Sequence, residues 1–172
     1  MMARVTPLLL LLFGMVAAAE RPLQWVKELR GETSQVLRAD YIKIANGLLI
    51  YDVSWGDEST SPVKSGDTCG VAWKMHLAAK GSKQARALVA TGRFVSQTNG
   101  FVRTTISENG SGGMIPGLDA ATIGMRPGGR RKVFVPSKMA FHTIGHPGMG
   151  IEAHADIVLF IEIDEKVKNE EL

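Results

Sequence analysis

Four histidines, one cysteine and scattered carboxylates are the side chains that could serve as ligands, nucleophiles or proton carriers. His142 and His146 stand four apart, the spacing that puts two imidazoles on one helix face for a metal ion. Gly145 and Pro147 break any helix there, however, and no third ligand follows at a suitable spacing. Cys69, within Asp67-Thr68-Cys69-Gly70-Val71-Ala72-Trp73, reads as a small buried thiol on a strand, because nothing around it would lower its pKa. As the single cysteine it excludes an internal disulfide. Ser, His and Asp do not cluster around a nucleophile elbow, and no Gly-rich phosphate loop of recognised spacing is present. Neither a metal nor a cofactor is expected.

The strongest pattern is apolar, and it lies in residues 114–136. Pro116 sits where a first helical turn tolerates proline, and Ile115, Leu118 and Ile123 supply apolar spacing. Pro127-Gly128-Gly129 then stops the helix before the strand-forming run Val133-Phe134-Val135. Further strands are expected over residues 48–53, 68–77, 92–96, 101–106 and 157–163, with a turn-rich loop over 55–62. Residues 78–91 separate two of these strands and include the helix-compatible Gln84-Ala85-Arg86-Ala87-Leu88-Val89. Short strands, one central helix and no repeat give an α+β fold, an antiparallel half-barrel sheet wrapped around one short helix.

A chain of 172 residues with 45% apolar content can bury one ordinary core. Its formal charge of +3 arises from 20 basic and 17 acidic residues, mixed along the chain. Arg130-Arg131-Lys132 is the one dense basic run; alternation on a strand makes it a solvated strand rather than a nucleic-acid patch. Residues 1–19 have the charged start, short apolar centre and small-residue end of a signal peptide, too short to span a bilayer comfortably. The expected organisation is therefore a signal peptide (1–19), an extension (20–46), one domain (47–165) and a charged tail (166–172), monomeric and without a membrane span once mature. The tail Lys168-Asn169-Glu170-Glu171-Leu172 approaches a retrieval signal, which places the protein in the endoplasmic reticulum lumen, with secretion or a plastid lumen as alternatives. Asn109-Gly110-Ser111 is a glycosylation sequon.

Residues 114–136, followed by Gly145-His146-Pro147-Gly148 and a closing apolar strand, resemble the FKBP family of peptidyl-prolyl cis-trans isomerases. The resemblance runs from Gly47 to Ile163, with residues 78–91 as an insertion where the family has a shorter hairpin. It implies a catalytic basket of Trp73, Phe94, Met114, Ile115, Leu118, Phe141 and Leu159. Met114-Ile115 is the helix entry whose backbone N–H grips a carbonyl, and Leu118 stands where the family usually has a floor tryptophan. Val95 and His146 fall at substrate-binding positions. Val95 replaces the family's aspartate and Phe141 its hydrogen-bonding tyrosine, so macrolide ligands are expected to bind weakly.

An apolar basket suits that reaction. Rotation about an Xaa-Pro amide needs no acid, base or nucleophile, since its barrier of roughly 20 kcal/mol is lost resonance. The twisted amide carries less charge separation than the planar one, and a dry cleft favours it. The resemblance thus implies an isomerase assisting folding in the secretory pathway, with proline-containing client polypeptides as partners. The alternative is a catalytically weak or inactive FKBP-like module that holds a protein partner.

Overall fold

The computed structural model describes residues 42–43, 45–80, 88, 91–107 and 115–167. Seven strands form one sheet: β1 (Ile42–Lys43), β2 (Leu49–Ser54), β3 (Thr68–Ala78), β4 (Thr91–Gln97), β5 (Val102–Thr105), β6 (Arg130–Val135) and β7 (Ile157–Val167). Their order is β1-β2-β6-β7-β3-β4, every pairing is antiparallel, and β5 shares with β4 the outer edge of the long strand β3. The sheet begins at Ile42, inside the segment expected as an extension.

Alternation along the strands gives the sheet two apolar faces. Cys69, Val71, Met75, Val133, Val135, Ile157, Leu159 and Ile161 pack with Leu118 and Ala121 of the α-helix α1 (Pro116–Thr122). Leu49, Phe134, Val158 and Phe160 point the other way, and Leu88 packs against them with no exposed surface. Leu88 is the one described residue of 81–90, so the residues between β3 and β4 place an apolar side chain on the face away from the helix.

The helix lies hard against β6. Ile115 enters it in extended conformation (ψ 141°) and Pro116 opens the first turn. A Cβ on Gly117 would come within 2.2 Å of Val135 Cγ1 and 2.9 Å of the Met139 carbonyl, so only glycine permits this approach. At the other end Arg131 Nη1 donates to the carbonyls of Ala121 (2.6 Å) and Ile123 (3.1 Å), satisfying acceptors that the short helix leaves open. The same guanidinium grips Asp52 on β2 with two bonds, Nε–Oδ1 at 2.6 Å and Nη2–Oδ2 at 3.1 Å.

The basic run of β6 is therefore not the solvated strand its composition implied. Arg131 is 8% exposed and Lys132 1% exposed. The carboxylate and two carbonyls make Arg131's burial tolerable, whereas the Nζ of Lys132 lies 4.8 Å from the centre of the Phe160 ring with no hydrogen-bond partner among the described residues. β7 runs on to Val167, into the segment expected as a charged tail; the rest of that tail, the expected signal peptide, Asn109 and Met114 fall outside the described residues.

Candidate functional site

Around the helix entry the core is incompletely covered. Trp73 and Leu77 from β3, Val95 from β4, Ile115, and Met139, Phe141 and Ala155 from the long β6–β7 connection are partly buried against it. Leu118 and Leu159 lie beneath, 2% and 0% exposed, with Ile151 beside them at 2%. None of these side chains carries a charge. The Ile115 carbonyl accepts from Leu118 and Asp119, but its N–H has no acceptor among the described residues. A rim of apolar side chains is what the arrangement offers, beside a helix-entry N–H that has no acceptor among the described residues: it can strip water from a segment of polypeptide.

The β6–β7 connection is fixed at several points. The Ser137 N–H donates to Asp156 Oδ1 at 2.8 Å, and the Ala78 N–H donates to the Asp156 carbonyl at 2.9 Å, tying the loop's two ends to β3. His146 forms an isolated antiparallel bridge with Ile151, N to O distances being 2.9 and 3.1 Å. Its Nδ1 accepts from the Met149 N–H at 3.2 Å, which leaves a neutral ring's proton on Nε2. Phe141 meets the His146 ring edge-on, centroids 5.6 Å apart and planes at 78°.

Of the residues singled out in the sequence, Trp73, Ile115, Leu118, Phe141 and Leu159 belong to this one cluster, and Val95 joins it as an apolar wall. Phe94 does not. It is 46% exposed on the opposite face, its ring edge-on to His76 at 5.6 Å and 5.5 Å from Lys74 Nζ. The cause is a β-bulge. Met75 pairs with Ser96 but His76 pairs with Phe94, leaving Val95 as the extra residue. Unbroken register would have set Phe94 opposite Leu77, on the helix side; the bulge turns Phe94 away and Val95 inward.

Leu77, Met139, Ile151 and Ala155 were not foreseen in the cluster. Leu77 was within reach of the alternation 73-75-77 on β3, while the other three depend on the path of an irregular loop. Among the described residues no three His, Cys, Asp or Glu side chains gather as a metal site. Burial holds the His76 pKa below that of free histidine, but this ring contacts Phe94 and Phe160 on the far side of the sheet.

Comparison with known proteins agrees with this geometry. The model of the FKBP-type peptidyl-prolyl cis-trans isomerase family matches residues 60–164. FK506-binding protein 4 of Gibberella zeae is 30% identical over 124 residues, 72% of this chain but only 22% of that protein. A peptidyl-prolyl cis-trans isomerase of Pseudomonas syringae pv. tomato superimposes with a TM-score of 0.59 at 17% identity, covering 81% of this chain and 88% of its own. FkpA of Escherichia coli does so with a TM-score of 0.59 at 18% identity, covering 80% of this chain and 57% of its own. These two likenesses concern the fold.

Proposed function

The chain belongs to the FKBP-type peptidyl-prolyl cis-trans isomerase family, and we propose that it interconverts cis and trans Xaa-Pro amides in client polypeptides of the secretory pathway. The observation that carries this reading is the uncharged rim of Trp73, Leu77, Val95, Ile115 and Phe141 around the helix entry. The prolyl ring enters over Leu118 and Leu159, the preceding carbonyl accepts from the Ile115 N–H, and the amide leaves water. Desolvation raises the polar planar amide more than the twisted one, which lowers the barrier without proton transfer.

A bulky apolar residue before proline suits a rim without charge, since an ionised neighbour would be desolvated unpaired. Val95 offers no acceptor and Phe141 no donor, so macrolides of the kind the family binds are held weakly. The same two residues favour the second reading, a binding module with little turnover. A protease-coupled isomerisation assay on a panel of Xaa-Pro peptides separates the two. Acceleration greatest for apolar Xaa supports the isomerase; rates equal to buffer for every peptide leave only the module.

Residence in the endoplasmic reticulum is proposed from the leader-like residues 1–19 and the tail Asn169-Glu170-Glu171-Leu172. In that compartment Asn109 is an acceptor for a glycan.

A further inference from the structure

We propose that Arg93 is a positioning residue that clamps the loop wall of the basket to strand β4, an inference that rests on the isomerase reading above. Arg93 Nη2 donates to the Gly150 carbonyl at 2.6 Å and lies 3.4 Å from the Met149 carbonyl, while Nη1 reaches the Phe94 carbonyl at 3.4 Å. The two loop carbonyls belong to a tight turn in which the Gly150 N–H donates to Pro147 and the Met149 N–H donates to the His146 ring. A continuous chain of contacts thus runs from β4 through Arg93 to the turn, to His146, and by the edge-on ring contact to Phe141.

Gly150 is shaped for this. It holds φ +65°, a left-handed conformation that favours glycine, and a Cβ there would come within 3.1 Å of Arg93 Nη2. Among the described residues, no other side-chain hydrogen bond joins β4 to residues 141–151. Val95 and Phe141 face the basket from these two segments, and neither has a polar atom with which to bond across it. The width of the cleft between them is set by the guanidinium, whose fork reaches adjacent carbonyls as a lysine's single ammonium does not.

The test compares wild type, Arg93→Ala and Arg93→Lys in amide hydrogen exchange and in isomerase kinetics with kcat and KM resolved. Because Arg93 is exposed, its removal is expected to leave Tm nearly unchanged. Arg93→Ala is expected to speed exchange of the Gly150 and Ile151 amides about tenfold and to lower kcat/KM about fivefold, mostly through KM. Arg93→Lys is expected to recover part of both. Unchanged exchange at Gly150 and Ile151 in Arg93→Ala overturns the clamp, as does faster exchange spread evenly over the sheet with a falling Tm. If wild-type rates equal buffer, the isomerase reading is lost, and local exchange still decides whether Arg93 holds the turn.

Discussion

Arg131 and Lys132 are neighbours on β6, both buried, and they point to opposite faces of the sheet. On the helix face Arg131 meets a carboxylate with two bonds and caps two helix carbonyls. On the other face Lys132 Nζ has no hydrogen-bond partner among the described residues and lies 4.8 Å from the centre of the Phe160 ring, which belongs to the apolar cluster that includes Leu88. Burial brings its pKa down to about 8. The difference shows which face holds its geometry by directed polar bonds. Behind the basket, Arg131 fixes β2, β6 and the end of α1 to one another, while on the far face Lys132 is buried in an apolar surround and carries its charge at a cost.

That contrast predicts opposite signs for similar substitutions. Asp52→Ala strands the Arg131 charge and is expected to cost about 3–5 kcal/mol in urea unfolding; a loss below about 1 kcal/mol would show that water or a shifted acceptor replaces the carboxylate. Leu88→Ala is next, at about 2–4 kcal/mol for an emptied apolar site. Part of that cost is offset as water reaches Lys132, so the same substitution is expected to cost more in a Lys132→Met background. A double-mutant cycle with no coupling would separate the two side chains.

Lys132→Met itself is expected to stabilise, by roughly 1–3 kcal/mol and several degrees in Tm. Folding lowers the Lys132 pKa from 10.5 to about 8, so in that window the unfolded chain holds more protons and stability climbs with pH. Below about pH 8 the full penalty applies. The rise between pH 8 and 10.5 should shrink in Lys132→Met; an identical pH profile would place the ammonium in contact with solvent.

Much of this architecture is legible in the residues. Pro116 and the Pro127-Gly128-Gly129 stop bound α1, and the runs around Leu49, Thr68, Val133 and Ile157 became β2, β3, β6 and β7. The helix-entry half of the basket followed from the same segment. What escaped was non-local. Phe94 and Val95 exchanged faces because a one-residue bulge resets register, and no local signal marks that bulge. The burial of Arg131 depended on Asp52, 79 positions earlier, and the apolar cluster around Phe160, over which the Lys132 Nζ lies, draws in Leu88 from outside the sheet. Arg93 reads as an ordinary exposed cation until the turn at Gly150 is brought beside it.

The helix entry is the point on which the functional account turns, and one substitution there tests it. Ile115→Asp puts a carboxylate where the substrate carbonyl is held, rehydrating the rim and opposing that carbonyl. The measurement is the cis-to-trans rate of a Leu-Pro peptide with wild type, with Ile115→Asp and with buffer, circular dichroism confirming that both proteins remain folded. The account predicts clear acceleration by wild type and a loss of at least about tenfold in the variant. Equal rates for wild type, variant and buffer would contradict it.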